Sequence, residues 1–193
     1  MIMLSPALTL PDLGTREGTK LNAPELIPTA RDVLLQGLGL LFQLSDPIYS
    51  RSAGAPFHAA IGGHYRRVLE YFQSFVRGSR PGEINYDILE ANARLQDDVR
   101  YASVATCDVL RALKLYSEET LSRKCKVIRS AEFGASELAP MDSDIGRELT
   151  FCIGQAMHHY AIIRLICQES GIAVPAEFGM APSTLKHKTA VAS

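Results

Sequence analysis

The sequence has almost no excess of charge of either sign, since 20 basic and 21 acidic residues give its 193 residues a net charge of −1. Nucleic acid binding needs a broad positive field, so no nucleic acid partner is predicted. No apolar run approaches the ~20 residues that cross a bilayer, so no membrane partner is predicted. The N-terminus lacks a basic start, and Pro6 and Pro11 interrupt its apolar stretch, so no leader peptide is expected.

The sequence also lacks the usual patterns of metal and redox sites. Its four cysteines form no CxxC pair, which indicates reduced thiols in a cytoplasmic protein. Cys152 lies in an apolar pattern without a neighbouring cation, so a core residue is favoured over a nucleophile. No Glu-x-x-His occurs, so a ferritin-like di-iron centre is not supported. No His-Glu-x-x-His occurs either, and this excludes the common helical zinc-protease motif.

Four segments have the apolar spacing of amphipathic helices. No segment is convincing as a strand, apart from a possible short extended piece at 124–130, so an all-α four-helix bundle is predicted. Residues 1–23 are expected to be a tail or arm, residues 24–186 the bundle, and residues 187–193 a second tail. The predicted helices are Pro28–Ser45, Phe57–Arg77, Ala93–Tyr116 and Asp144–Ser170.

Local signals mark the ends and one irregularity of these helices. Asp142 or Ser143 is expected to cap the last helix, and Gly171 to stop it. Gly62 and Gly63 lie inside the second helix, where each costs roughly 1 kcal/mol relative to alanine. Close approach of another backbone, or room for a ligand, is expected to compensate for them.

Two of the five histidines, His64 and His159, occupy inward positions on different predicted helices. At about 100° per residue, Gln155 lies about 40° from His159 and one turn before it, while His158 points about 100° away towards the flank. Imidazoles that converge in this way can hold zinc, nickel, copper or iron. Buried histidines satisfied by hydrogen bonds are the alternative interpretation.

Several stretches resemble DinB-like proteins (the DinB/YfiT superfamily). Residues 61–72, IGGHYRRVLEYF, resemble the signature of the family's second helix, and residues 146–166, GRELTFCIGQAMHHYAIIRLI, resemble its last core helix. Residues 85–87, NYD, and 177–184, EFGMAPST, add support. The similarity covers roughly residues 25–186, and the last-helix segment is the most specific part.

This resemblance implies a bundle with up-down-down-up connectivity and a divalent metal held by three histidines. Carried onto this chain, the metal positions are His64, Gln155 and His159, so a glutamine replaces one family histidine. Relatives often have further histidines in the second helix, where this chain has Arg67 and Tyr71. Zinc or nickel is therefore expected on a weakened site, and His158 can substitute for Gln155 only if the helix is distorted.

Three functions remain open from the sequence. The first is a metalloenzyme, such as the thiol-dependent transferases among DinB-like proteins, in which Tyr86 and Arg147 position an anionic or thiol substrate. The second is a metal-free family member whose pocket binds a small molecule or is only structural. The third is a homodimeric interaction module that buries the apolar flank residues Phe151, Ile162 and Leu165.

Overall fold

The computed structural model describes residues 23–54, 59–88, 92–129 and 139–180. Within these ranges the four longest helices, α1, α3, α5 and α7, pack side by side around one apolar core. The helices in chain order are α1 Ala23–Leu41, α2 Asp46–Ser50, α3 Ile61–Ser79, α4 Arg94–Asp97, α5 Val99–Leu113, α6 Glu118–Ser122 and α7 Ile145–Glu169. The two predicted tails lie outside the described residues, except that Ala23 is the first residue of α1.

Helix α3 packs mainly against α7 and runs antiparallel to it. The start of α3 meets the second half of α7, where His64 lies beside His159. Two turns further along α3, the carbonyl of Tyr71 accepts a hydrogen bond from the thiol of Cys152, which is nearer the start of α7. This antiparallel pair brings the two histidines together.

Helix α5 packs against a different side of α3 from α7 and runs parallel to α3. Tyr65 near the start of α3 contacts Thr106, and Ser79 at the end of α3 bonds to Tyr116, just past the end of α5. A long connection between the two helices makes this parallel arrangement possible.

Helix α1 packs against α7 and α5. Leu26 lies near Gly146 at the start of α7, and Gly37 lies against Tyr160 further along it, so α1 and α7 run in the same direction. The four long helices therefore have up-down-down-up connectivity, and the predicted all-α four-helix bundle is confirmed.

A three-stranded sheet, which was not predicted from the sequence, accompanies the bundle. Strand β1 Glu83–Asn85 pairs parallel with β2 Lys124–Ile128, which pairs antiparallel with β3 Met141–Asp144. The extended piece expected at 124–130 is β2. β1 and β3 are too short and too polar to show a period of two, and their pairing joins distant parts of the chain, so no local pattern indicated it.

The first predicted helix is displaced at both ends. α1 begins at Ala23 and contains Pro28, so Pro28 does not start the helix. It ends at Leu41, because the chain turns at Phe42 and Gln43 before α2. Pro47 lies in the first turn of α2, where the missing N–H of proline is tolerated.

The second and third predicted helices also differ from the structure. α3 begins at Ile61 and ends at Ser79, while residue 57 lies outside the described ranges. The third predicted helix is two helices, α4 and α5, separated at Asp98, which is extended (φ −122°, ψ 102°). The carboxylate of Asp98 accepts the backbone N–H of Tyr101, so it starts a new helix rather than continuing the old one.

The ends of α7 agree with the prediction to within one residue, but its cap does not. Asp144, and neither Asp142 nor Ser143, accepts the N–H of Arg147, at 2.9 Å. Gly171 follows the helix with φ +69°, the left-handed conformation expected of a glycine stop. None of the described helices combines the length and apolar character needed to cross a membrane.

Replacing the cap of α7 is expected to destabilise the protein. Asp144→Ala removes the acceptor for a first-turn N–H and should lower the free energy of unfolding by about 1 kcal/mol. Asp142→Ala removes only an exposed pair with Lys126 and should change it by less than about 0.5 kcal/mol. Urea denaturation measures both values, and equal losses would contradict the assignment of Asp144 as the cap.

Candidate functional site

The site is centred on a direct contact between two histidine rings. The Nδ1 atoms of His64 and His159 are 3.1 Å apart, and the ring centroids are 5.4 Å apart. Both side chains are half-buried. Their contact follows from the apolar seams of α3 and α7, which turn one histidine from each helix towards the other.

The other predicted site residues of α7 lie around this pair. Gln155 is half-buried one turn before His159, and its amide makes no hydrogen bond with a described residue. His158 is exposed, although its ring is 5.2 Å from that of His159 in an edge-on arrangement. The sequence-based geometry thus agrees with the structure in placing His158 on the flank.

Burial keeps both imidazoles uncharged at neutral pH. The pKa of His159 is lowered to about 4, first by burial and then by the charges of His64, His158 and Arg67. Burial also lowers the pKa of His64, with a smaller effect from His158. Two neutral rings can share one hydrogen bond, or both can offer a lone pair to a cation.

Because the pKa of His159 is lowered, we expect the free energy of unfolding to fall as the pH is lowered. EDTA keeps the protein free of metal in this experiment. As pH falls from 6.5 towards about 4, His159 binds a proton in the unfolded chain but not in the folded one. Stability is therefore fully present above pH 6.5 and is lost through this window, by about 1–2 kcal/mol once partial exposure is considered.

Urea denaturation at several pH values measures this loss. A His159→Asn variant, which cannot titrate, should show a shallower decline of unfolding free energy between pH 6.5 and 4. Identical pH profiles for the variant and the parent would show that His159 is not the group responsible.

An aromatic wall extends from the histidines towards the sheet. The ring of Tyr71 stacks on His159 at 6.4 Å and meets Phe151 edge-on at 5.6 Å. Tyr86, which follows β1, lies 4.9 Å from Phe151. The guanidinium of Arg129, after β2, covers Phe151 at 4.7 Å. No local pattern in the sequence indicates Arg129, because only the long-range pairing of β2 brings it to this wall.

Tyr86 is joined to Cys152 and not to the histidines. Its hydroxyl is 3.6 Å from the thiol of Cys152, and burial raises its pKa. Burial also raises the pKa of Cys152 to about 12. The thiol is therefore protonated at neutral pH, and the geometry agrees with the interpretation of Cys152 as a core residue.

Arg147 is not part of the same cluster. It is exposed in the first turn of α7 and lines a shallow cleft with Leu26 and Leu121. Twelve residues along the helix separate it from His159, which corresponds to about 18 Å. Arg147 therefore does not line a position beside the histidine pair.

An ion-pair cluster on α3 adjoins the histidines and was also missed. Glu70 is 4% exposed and pairs with Arg66 at 3.5 Å and with Arg67 at 3.1 Å. Spacing of three and four residues predicts such pairs on a helix, but the burial of Glu70 depends on tertiary structure. Arg67 thus brings positive charge close to His159.

The histidine pair has a geometry suitable for one metal ion, but the surrounding residues provide little more. Two zinc–nitrogen bonds of about 2.0–2.1 Å place the nitrogens roughly 2.9–3.4 Å apart for bond angles of about 90–109°, and the observed 3.1 Å lies in this range. Among the described residues, no group of three or more His, Cys, Asp or Glu could hold a metal. A bound ion would need Gln155 or water as further ligands.

Comparison with solved structures identifies the fold. A DinB-like protein from Bacillus subtilis superposes with a TM-score of 0.56 and 16% identity, over 78% of this chain and 96% of that chain. A DinB-like protein from Bacillus cereus gives a TM-score of 0.48 and 17% identity, over 80% and 94% of the two chains. The first similarity shows that this chain has the DinB-like fold, which confirms the structural part of the resemblance.

Sequence comparisons are less informative. No family model matches the chain. A protein named FK506-binding protein 5 from Rhizopus delemar is 34% identical over 104 residues, which cover 54% of this chain. The matching segment spans only 27% of that relative's length.

Proposed function

We propose that His64 and His159 bind one divalent transition metal ion, zinc or nickel, between α3 and α7 of a DinB-like protein. The observation that carries this proposal is the 3.1 Å separation of the two Nδ1 atoms. The lowered pKa values of both rings add support, because only neutral imidazole donates its lone pair to a metal.

The proposed site would be weak and open. Gln155 replaces a family histidine and offers only an amide oxygen, which is a poor ligand for zinc or nickel. Coordination positions left by the protein would be taken by water or substrate, as in catalytic rather than structural metal sites. When bound, such an ion would lower the pKa of a coordinated water or thiol, or polarise a carbonyl.

A thiol-dependent transferase is the activity that we propose for this site. Tyr71 and Phe151 would form an apolar wall beside the histidines and keep water away from a bound substrate. Arg129 over Phe151 would offer a positive charge to an acidic group at the far end of that wall.

Metal content of the untagged protein tests the proposal directly. The protein should be purified without chelators, incubated with zinc or nickel, separated from free ions and measured by elemental analysis. We expect close to one ion per chain under loading conditions. Less than about a tenth of an ion per chain, after loading with either metal at excess over a micromolar Kd, would exclude the proposed site.

A metal-free pocket for a small molecule is the second candidate function. The observation that favours it is Gln155, which stands where a third imidazole would complete a metal site. Arg67, although paired with Glu70, adds a positive charge near His159 that would also repel a metal cation. A variant without the Arg67 charge distinguishes a metal site from a metal-free pocket. If a metal site is only weakened by Arg67, Arg67→Ala should bind zinc more tightly than the parent, whereas no gain is expected for a pocket that lacks metal affinity.

We also propose a homodimer in a reducing, cytoplasmic environment. Leu165 is 46% exposed on α7, while Ile162 and Phe151 are half-buried against the core, so Leu165 is the better candidate for a dimer contact. The four free cysteines support the choice of compartment. Light scattering should give twice the chain mass for the parent, and Leu165→Asp should shift it towards the monomer.

A further inference from the structure

We propose that a second site, a cleft between the ends of α3 and α5 and helix α6, binds a small organic anion. The cleft has a volume of about 580 Å³, within the range of roughly 300–1,000 Å³ that is usual for small-molecule pockets. Neither His64 nor His159 is among the described residues that line this cleft. Its lining residues are Val76, Ser79, Arg80, Ala112, Leu115, Tyr116, Thr120 and Arg123.

Among the described residues, Arg80 and Arg123 are the only charged ones that line this cleft. Arg80 follows α3, and its side chain makes no hydrogen bond or ion pair with a described residue. Arg123 follows α6 and donates one bond, at 3.1 Å, to the carbonyl of Arg80. A guanidinium has five N–H donors, so both side chains keep donors that can bind a ligand.

The charge balance of the cleft favours an anion. α3 and α5 both end here, and each helix end contributes roughly half a negative charge. The two guanidinium groups together carry two positive charges, so the balance is about one positive charge.

The walls of the cleft are suited to an apolar body. Tyr116 is fixed by stacking on Phe75 at 5.4 Å and by its hydrogen bond to Ser79. Leu115 is 84% exposed at the rim, and Val76 and Ala112 complete the apolar surface. A ligand with one acidic group and an aromatic or aliphatic body would use both parts of the cleft, whereas inorganic phosphate would use only the arginines.

A pair of fluorescent probes tests this proposal. 8-Anilinonaphthalene-1-sulfonate carries a sulfonate, and N-phenyl-1-naphthylamine is its uncharged analogue. We expect saturable binding of one sulfonate probe per chain and about 100-fold weaker binding of the uncharged probe, the loss expected when the charge-assisted contacts to both arginines are missing. Amide chemical shifts of Ala112, Leu115 and Thr120 should move on addition of the sulfonate probe.

Three arginine variants complete the experiment. Arg80→Ala and Arg123→Ala should each weaken the sulfonate probe about tenfold and leave the uncharged probe unchanged. Arg51→Ala, which removes an exposed arginine after α2, should change neither affinity. If Arg123→Ala unfolds because it loses the bond to Arg80, the Arg80→Ala variant still decides the outcome.

Two binding results would overturn the proposal. One is the absence of saturable binding of the sulfonate probe to the folded parent. The other is equal affinity of that probe for the parent, Arg80→Ala and Arg51→Ala, because the charge of Arg80 would then have no effect on binding. Shifts confined to residues around His64 and His159 would assign the probe to the histidine pocket and also contradict the proposal.

Discussion

His159→Ala is expected to weaken zinc binding by about 100-fold or more. Structural zinc sites with four ligands supply about 10–16 kcal/mol, which is roughly 3 kcal/mol for each ligand. Because His64 and His159 are the only two imidazoles among the described residues whose ring nitrogens lie within hydrogen-bond distance of each other, losing either ring leaves the ion with a single histidine. His64→Ala should therefore have an effect of the same size.

The neighbouring His158 provides a matched control. Its ring is exposed and lies beside His159 rather than facing His64, so His158→Ala should change zinc affinity by less than about threefold. Isothermal titration calorimetry with zinc, at a pH above 7, measures all three variants. If His158→Ala loses as much affinity as His159→Ala, the ion is held by a different pair of nitrogens from the one proposed.

Gly62→Ala is expected to destabilise the fold by about 3 kcal/mol or more. A Cβ at residue 62 would overlap the backbone oxygen of Gln96 and lie 2.8 Å from its carbonyl carbon, with the ring of Tyr49 at 2.9 Å. The backbone before α5 would have to move, which also disturbs the hydrogen bond from the Tyr49 hydroxyl to the carbonyl of Leu95. Overpacking of this kind costs about 1–3 kcal/mol, and the loss of that hydrogen bond adds to this cost.

The adjacent glycine gives the opposite expectation. A Cβ at Gly63 would meet nothing within 4 Å, so Gly63→Ala should stabilise the protein by up to about 1 kcal/mol through helix propensity alone. Urea denaturation of both variants tests which of the two predicted reasons for the glycines applies at each position. These reasons are close approach of another backbone and room for a ligand. Equal destabilisation at the two positions would contradict the close approach of α3 and the Gln96 backbone.

The positions that face inward could be predicted because helical periodicity is local. The positions of α7 that its apolar spacing turns inward are buried except at half-buried His159; they are Ile145, Leu149, Cys152, Ala156, His159, Ile163 and Ile166. The equivalent positions of α3, which are Ile61, His64, Val68, Tyr71 and Phe75, are buried or half-buried. The stop at Gly171 was also predictable, since a glycine after an apolar helix is a local signal. Those patterns were sufficient for the fold class and for the choice of His64 and His159.

Where a helix begins was less predictable, because several residues compete to cap it. Asp142, Ser143 and Asp144 all have side chains that can accept a first-turn N–H. Pairing of β2 with β3 extends through Asp144, and this pairing makes Asp144 the last extended residue before α7. Likewise, Asp98 interrupts an apolar pattern that is otherwise continuous, and the Asp46 carboxylate accepts the N–H of Val99.

The sequence by itself determined that two histidines turn inward on two amphipathic helices and that Gln155 shares the face of His159, one turn before it. Only the tertiary structure decided that the two Nδ1 atoms meet at 3.1 Å and that Arg129 reaches the aromatic wall. It also decided that Gly62, but not Gly63, lies against another backbone. The physical reason is that helix faces follow from neighbours three and four residues apart, whereas distances between helices depend on packing between distant segments.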